Sequence, residues 1–412
     1  MQGKATHDRR PTSLLIVGDT PYAVVDGRLQ TFAALSKQLD LWCAEFDEVR
    51  IAAHRIDAPQ PGFRSLARDD IELVDLPAGG GSGLTAKLGV VALLFRWVAV
   101  LAPLMRRSTA VHLRTPCNVT LVAIPLARVL CPRRYAIFAG TWERTDSEPR
   151  SYRLQRGMLR HVGGVVHAYV PPDDDVPAHI RPNVSPSFSD QELDALAPLA
   201  QQRLDRIASD PVAQRALRIC CVGAFSERKN QAGLLRAVAL LAERGVPVEL
   251  RFAGTGRTFE ADQALARELG IADRTRFLGQ LGAADLEDLF AWADVHALVT
   301  FGEGFGKVFI EAMAVGCPSV VGSGRMQLAI IGSGARGRQA DPASPASIAR
   351  CLEELRALGP DEQAAMVGSC TDHARTCTID AFAHEVRHIT RDLWSLPAPS
   401  SPTTANQEVP TC

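Results

Sequence analysis

Val295-His-Ala-Leu-Val-Thr-Phe301-Gly-Glu303-Gly-Phe305-Gly306-Lys307-Val-Phe-Ile-Glu311-Ala-Met-Ala-Val315-Gly-Cys-Pro318-Ser-Val-Val321 is the stretch from which the fold is read. An apolar run at 295–299 ends in an acidic, glycine-rich loop. An apolar helical run follows at 307–315, and a third apolar run at 318–321. Strand, loop, helix and strand in that order make a crossover unit, and such units build parallel sheets covered on both faces. Two carboxylates, Glu303 and Glu311, stand eight positions apart, the first in the loop and the second about one turn into the helix. A loop carboxylate accepts hydrogen bonds from sugar hydroxyls. Glycines let backbone approach a ligand, and a helix N-terminus offers free amides and a positive dipole end to a diphosphate. A glutamate on the helix can hold a vicinal diol such as a ribose. The segment therefore suits a nucleotide sugar. A glutamate on a helix is more often a solvated face, and a glycine-rich stretch more often a turn, so the surrounding segments must decide.

Working outward, the same alternation fills the chain. Upstream lie strands at 217–222, 248–253 and 274–278, with helices at 231–244, 259–269 and 284–292. Helices at 347–358, 361–370 and 379–394 follow. The first half has strands at 13–17, 49–53, 71–76, 110–113, 135–139 and 165–170, and helical spacing at 28–41. Residues 171–211 carry several prolines and an Asp173-Asp174-Asp175 run, and read as the connection between two domains, with a short helix at 191–204. The expected class is α/β with two doubly wound, Rossmann-like domains. The divisions are a disordered tail (1–12), an N-terminal domain (13–185), a C-terminal domain (186–378), a C-terminal helix packing back on the N-terminal domain (379–395) and a Pro/Ser/Thr-rich disordered tail (396–412).

Composition narrows the function classes. The chain has 412 residues, 46% hydrophobic, with a formal net charge of −1. That balance argues against a general nucleic-acid binder, which shows a basic stripe. Ten cysteines are scattered without a Cys-x-x-Cys pair, and no histidines flank them at zinc spacing, so buried reduced thiols are expected. The polar N-terminus lacks a secretory apolar run, and a cytoplasmic location is expected. Residues 88–105 are apolar except for Arg96, and Pro103 interrupts them near their end. A spanning helix wants about 20 apolar residues without a central charge. A buried or interface-lying helix is the expectation, with peripheral contact at the inner face of the membrane as one form of it.

Val222-Gly223-Ala-Phe-Ser-Glu-Arg228-Lys229-Asn230, Phe252-Ala-Gly254-Thr-Gly256, Arg276-Phe-Leu-Gly279, Glu303-Gly-Phe-Gly306, Glu311-Ala-Met and Gly316-Cys-Pro318 follow one another in this order. Together they resemble the retaining glycosyltransferases of family 4 (glycosyl transferases group 1), which have the GT-B fold. The resemblance runs over about 217–341 and is much weaker in the first half. It implies two domains facing a cleft and transfer of a sugar from a nucleotide-diphosphate sugar to a glycan or lipid-linked acceptor, with retention of configuration. It assigns Lys229 to the donor diphosphate and Glu303 to the transferred sugar, as the catalytic pair. Glu311 would hold the ribose. Gly223, Gly254, Phe305, Gly306 and Gly27 would bring backbone to the donor, Gly27 from the N-terminal domain. No cofactor is implied beyond the donor itself, and with no Asp-x-Asp word in a suitable setting no metal is expected.

Three departures accompany the resemblance. The family commonly has an arginine directly after the glycine matching Gly223; here it is Ala224, and Arg228 is the candidate to replace that charge. A glutamate-containing word after the 318–321 strand is replaced by Ser323-Gly-Arg-Met-Gln327-Leu. The N-domain histidine of many members is missing from 138–143; His112 and His167 lie near strand ends but are more often structural there. These departures keep two alternatives open: a nucleotide-sugar-binding protein without turnover, and a sugar-nucleotide epimerase of the same fold.

Overall fold

A computed structural model describes residues 10–77, 84–143, 148–171, 175–183 and 186–399, with side chains described outside 84–92. The two terminal tails lie largely outside these residues, as do Asp173 and Asp174. The chain divides into two compact units, residues 1–183 with 382–412, and residues 184–381.

The first unit contains β1 (Ser13–Val17), β2 (Ala23–Val25), β3 (Arg28–Phe32), α1 (Ala33–Cys43), β4 (Glu48–Ala53), β5 (Phe63–Ser65), β6 (Glu72–Asp75), α2 (Leu84–Arg107), β7 (Ala110–Thr115), α3 (Thr120–Leu130), β8 (Arg134–Thr141), α4 (Arg150–Val162), β9 (Val165–Tyr169) and β10 (Ile180–Pro182). Seven strands form a parallel sheet in the order β10-β9-β8-β7-β1-β4-β6. Period-two alternation sends successive side chains of β1 to opposite faces. Leu15 and Val17 join Trp97, Leu101 and Met105 of α2, Ile124 of α3 and Leu159 of α4 on one face. Leu14 and Ile16 join Leu39 and Trp42 of α1 on the other, together with Phe382, Val386, Ile389 and Trp394 from the end of the described chain.

Two expectations are corrected here. The 28–41 run is not one helix: Arg28–Phe32 is a strand, paired antiparallel with β2 and β5, and the helix starts at Ala33. Asp26-Gly27 is the two-residue hairpin turn between β2 and β3, with φ of 50° and 75°. Both central residues of that turn need positive φ, which an Asp-Gly pair supplies. The 171–211 stretch does carry the division between the two units, at 183/184, but not all of it is connection. Its Ile180–Pro182 segment is a sheet-edge strand, where proline is tolerated because no neighbour needs its missing donor.

The second unit contains α5 (Asp190–Ser209), β11 (Leu217–Val222), α6 (Gln231–Glu243), β12 (Val248–Ala253), α7 (Phe259–Glu268), β13 (Thr275–Phe277), α8 (Ala283–Trp292), β14 (Val295–Leu298), α9 (Lys307–Ala314), β15 (Ser319–Val321), α10 (Arg325–Ile330), β16 (Gly337–Gln339), α11 (Pro345–Ala357) and α12 (Pro360–Arg375); α13 (Ile379–Arg387) then carries the chain back to the first unit. The helix expected at 191–204 is 20 residues long. Its start is set by a capping box, in which Ser189 Oγ accepts from the Glu192 amide and the Glu192 carboxylate accepts from the Ser189 amide. Six parallel strands run in the order β13-β12-β11-β14-β15-β16. The order reverses between β11 and β14. In open α/β sheets that reversal leaves a crevice beyond the carboxyl ends of the two strands.

Among the described residues no helix is long and apolar enough to cross a membrane. Trp97, Leu101 and Met105 of α2 are buried, while Phe95 and Arg96 are exposed. The nine described cysteines are buried and free.

Candidate donor site in the second unit

The loop 223–230 leaves β11 and the loop 299–306 leaves β14, so both emerge at the reversal point. A third loop, after β12, packs against the first. Gly254 there has φ of 125°, and a Cβ on it would sit 2.2 Å from the Gly223 carbonyl oxygen, so only glycine permits the approach. The Phe225 amide donates to the Thr255 carbonyl at 2.9 Å. One short turn, Glu227–Lys229, follows, and the chain enters α6 through Asn230 in the left-handed region (φ 59°, ψ 38°). Asparagine visits that region more readily than most residues. Its Nδ2 donates to the carbonyls of Val299 (3.0 Å) and Pro342 (2.8 Å). Thr300 Oγ1 and the Phe301 amide both donate to the Arg228 carbonyl, at 2.9 and 3.0 Å. The two loops are thereby stitched together.

On this scaffold Lys229 Nζ donates to Glu303 Oε2 in an ion pair whose side chains are 14% and 16% exposed. Arg228 reaches the same carboxylate oxygen at 3.6 Å and donates to the Gly302 carbonyl at 2.5 Å; its side chain is 57% exposed. Gln327 of α10, itself buried, donates to the Glu303 carbonyl at 2.6 Å. The site therefore carries two cations around one carboxylate.

Gly306 (φ 73°, ψ 78°) turns the loop into α9, which begins at Lys307 without a side-chain cap. A Cβ at Gly306 would lie 2.7 Å from the Phe309 ring, so the turn requires glycine. Phe305 is buried beside it. Glu311 sits on α9, where burial raises its carboxyl above the usual range and nearby Lys307 opposes the shift. Its carboxylate makes no hydrogen bond among the described residues. The far end of α9 is held by Arg203 of α5, which is buried and donates to the carbonyls of Phe290 (2.5 Å), Ala293 (2.6 Å) and Val315 (3.0 Å). Those carbonyls end α8 and α9, where no helical partner is left for them.

Of the residues expected from sequence, Gly223, Arg228, Lys229, Gly254, Glu303, Phe305, Gly306 and Glu311 all lie on these loops or on α9. Gly27 lies in the first unit, in the hairpin turn, not in a strand-to-helix loop. His112 and His167 are core residues of the first unit: His112 packs edge-on to Tyr135 beside Trp42, and His167 pairs with the Tyr135 hydroxyl (3.1 Å) and Glu385 (3.3 Å). Sequence reasoning gave no role to Asn230, Thr300, Arg203 or Gln327. Only Asn230 carried a local signal, an asparagine directly before a helical run. Among the described residues no group of three His, Cys, Asp or Glu side chains could hold a metal ion.

Chemically, a lysine opposite a departing diphosphate stabilises charge as it develops. A partly buried carboxylate without partners, raised in pKa by burial, is suited to take hydroxyl donors.

Comparison with known proteins bears on the family and the fold. Residues 206–367 match the family model described as glycosyl transferases group 1. A D-inositol 3-phosphate glycosyltransferase of Streptomyces avermitilis is 31% identical over 251 residues, 60% of this chain and 49% of that protein. One from Corynebacterium diphtheriae is 33% identical over 178 residues, 42% and 41% of the two chains. The chain thus spans about half the length of these curated relatives or less. Among solved structures, Anabaena Alr3699/HepE in complex with UDP superposes with a TM-score of 0.62 at 14% identity, covering 93% of this chain and all of that one. Sucrose-phosphate synthase from Thermosynechococcus elongatus gives 0.62 at 16%, covering 93% and 99%. These likenesses show the fold, that of GT-B glycosyltransferases.

Proposed function

We propose that this chain, whose C-terminal unit belongs to the glycosyl transferases group 1 family, is a retaining glycosyltransferase that moves a sugar from a nucleotide-diphosphate sugar to a glycan or lipid-linked acceptor. The observation that carries the proposal is the convergence of Lys229, Glu303 and Glu311 at the strand-order reversal of the second unit. Binding of UDP and UDP-glucose by the structural neighbour HepE supports a nucleotide sugar as the donor class.

In this reading the diphosphate lies over the 223–230 loop and the start of α9. Its arrival draws Lys229 from Glu303, and the freed carboxylate turns to the hydroxyls of the sugar. Glu311 accepts from the ribose diol. The glycosidic bond to the diphosphate breaks as the acceptor oxygen attacks from the same face. The acceptor's proton passes to the leaving phosphate oxygen, and Lys229 neutralises the charge left there. No metal is assigned to the reaction; the cations belong to Lys229 and Arg228.

The test is a panel of sugar nucleotides, each with and without acceptors, followed by release of the nucleoside diphosphate. The names of the curated relatives place a phosphorylated polyol in the acceptor panel beside lipid-linked glycans. Product formation that persists with a chelator supports transfer without metal. Conversion of the sugar with no acceptor consumed would make it an epimerase. Binding without turnover across the panel would leave a binding protein.

A further inference from the structure

The strand order of the first unit's sheet also reverses, between β7 and β1. Such a reversal leaves a crevice beyond the carboxyl ends of the two strands. Val17 pairs with Leu113 at that end, which sets Gly18 beside Arg114. A Cβ on Gly18 would lie 3.2 Å from the Arg114 Cβ, so the missing side chain gives the arginine room. Tyr22 follows in the link from β1 to β2.

Arg114 is half-buried, and its guanidinium makes no hydrogen bond or ion pair among the described residues. The side chains that bear on it electrostatically are Tyr22, Tyr135, Tyr169 and Cys117. These are phenols and a thiol, neutral at pH 7. Asp19, the one carboxylate of residues 18–22, is set against the Cys117 thiol instead. Tyr22 is 1% exposed, and its hydroxyl has no hydrogen-bond partner among the described residues. The Arg114 charge opposes the upward shift that burial gives this phenol, so the two donors are neighbours. A desolvated cation and a buried phenol without an acceptor are both costly to keep.

The loop after Arg114 is held in place by Gln155 of α4, which is fully buried. Its Oε1 accepts from the Cys117 amide (3.2 Å) and the Thr120 hydroxyl (2.7 Å), and its Nε2 donates to the Cys117 carbonyl (3.0 Å). Thr115 Oγ1 donates to the Ile137 carbonyl at 2.8 Å. The crevice thus sets two donors that lack an acceptor in a fixed frame.

We propose that Arg114 and Tyr22 bind an oxyanion, a phosphate or a carboxylate, carried by the acceptor. A planar guanidinium matches either group with two parallel donors. An uncharged acceptor would leave it uncompensated, so the crevice selects a charged one. Assignment to the acceptor rests on the transferase reading; the anion site does not. The donor's diphosphate is the other source of this chemistry, and in that reading it has its own cations in the second unit.

Hydrogen exchange of the full chain is followed as inorganic phosphate is added. Phosphate should slow exchange in peptides spanning 18–22 and 114–117. Arg114→Gln should need about tenfold more phosphate or beyond for the same protection, and Tyr22→Phe several-fold more. In phosphate-free buffer Arg114→Gln should melt no lower than the wild type, because it removes an unpartnered charge. Absence of protection, or equal protection in Arg114→Gln, overturns the site. A clearly lower melting temperature would make the arginine structural and overturn it too. In turnover, a polyol and its phosphate monoester are offered as paired acceptors. Arg114→Gln should raise KM for the phosphorylated member about tenfold and leave KM for the donor unchanged. A raised donor KM instead would give the site to the donor's diphosphate and overturn the acceptor assignment. A wild type without transfer fails the transferase reading alone, and the phosphate titration still decides the site.

Discussion

Lys229 and Glu303 lie 74 residues apart in sequence and meet as an ion pair across the two loops of the second unit's strand-order reversal. Each neutralises the other while no donor is present. A diphosphate and a sugar hydroxyl must therefore compete with a contact the protein already makes.

Lys229→Ala should reduce turnover by on the order of 10²–10³, the effect of removing one donor to developing charge. Arg228→Ala should cost less than about tenfold, because its largely exposed guanidinium is screened by water. Steady-state rates on folded protein, checked by thermal melting, decide both. A Lys229→Ala variant with normal turnover would remove the lysine from the chemistry.

Glu311→Gln should separate binding from stability. Burial raises the Glu311 carboxyl, so ionisation destabilises the empty fold. The protonated form is favoured at low pH, and the cost grows as pH rises from the ordinary carboxylate range through the raised value. The glutamine should thus melt higher than wild type at neutral pH. It should also bind donor at least about tenfold more weakly, since hydrogen bonds to a charged group contribute roughly 1.5–3 kcal/mol each. Donor binding by the wild type should strengthen as pH rises through the same window, and the variant should lose that dependence. Calorimetry at several pH values measures both effects.

Arg203→Leu should destabilise the second unit by about 3 kcal/mol or more, because three buried carbonyls lose their donor. Arg203→Lys should rescue little, since one ammonium cannot reproduce a planar fork aimed at three acceptors. Denaturant unfolding is the measurement, and an unchanged midpoint for the leucine variant would refute the capping role.

His296 is fully buried on β14, and burial, reinforced by the Lys229 charge, lowers its pKa to about 3. The unfolded chain binds a proton near pH 6.5 that the folded chain refuses. Stability from this residue is present above that pH and is lost between about 6.5 and about 3, at roughly 1.4 kcal/mol per pH unit. His296→Phe should flatten the acid limb of the stability curve, read from denaturant midpoints across that range.

The site was legible where chemistry and local structure coincide. Glu303 and Glu311 stand out by their spacing around a glycine-rich loop and a helix start, whereas Lys229 is picked out only through the family resemblance. Gln327 and Arg203 were not legible, because their roles depend on carbonyls 24 and up to 112 residues away. Two parts of the fold were misjudged for physical reasons. Leu29, Leu35 and Leu39 imitate a helical stripe, although Asp26-Gly27 already marked a hairpin before them. The prolines around β10 suggested a linker because an edge strand tolerates what a central one does not.

The first unit takes Phe382, Val386, Ile389 and Trp394 into the same core as Leu14 and Ile16. A ribosome delivers those groups only after the whole of the second unit. The nascent first unit must therefore wait with one face of its sheet incompletely covered, while residues 184–381 emerge whole and can fold ahead of it. Until Trp394 arrives beside Trp42, the sheet face that holds Leu14 and Ile16 stays open to holdase chaperones, and a premature stop directly after Ala381 would spare the second unit and strand the first.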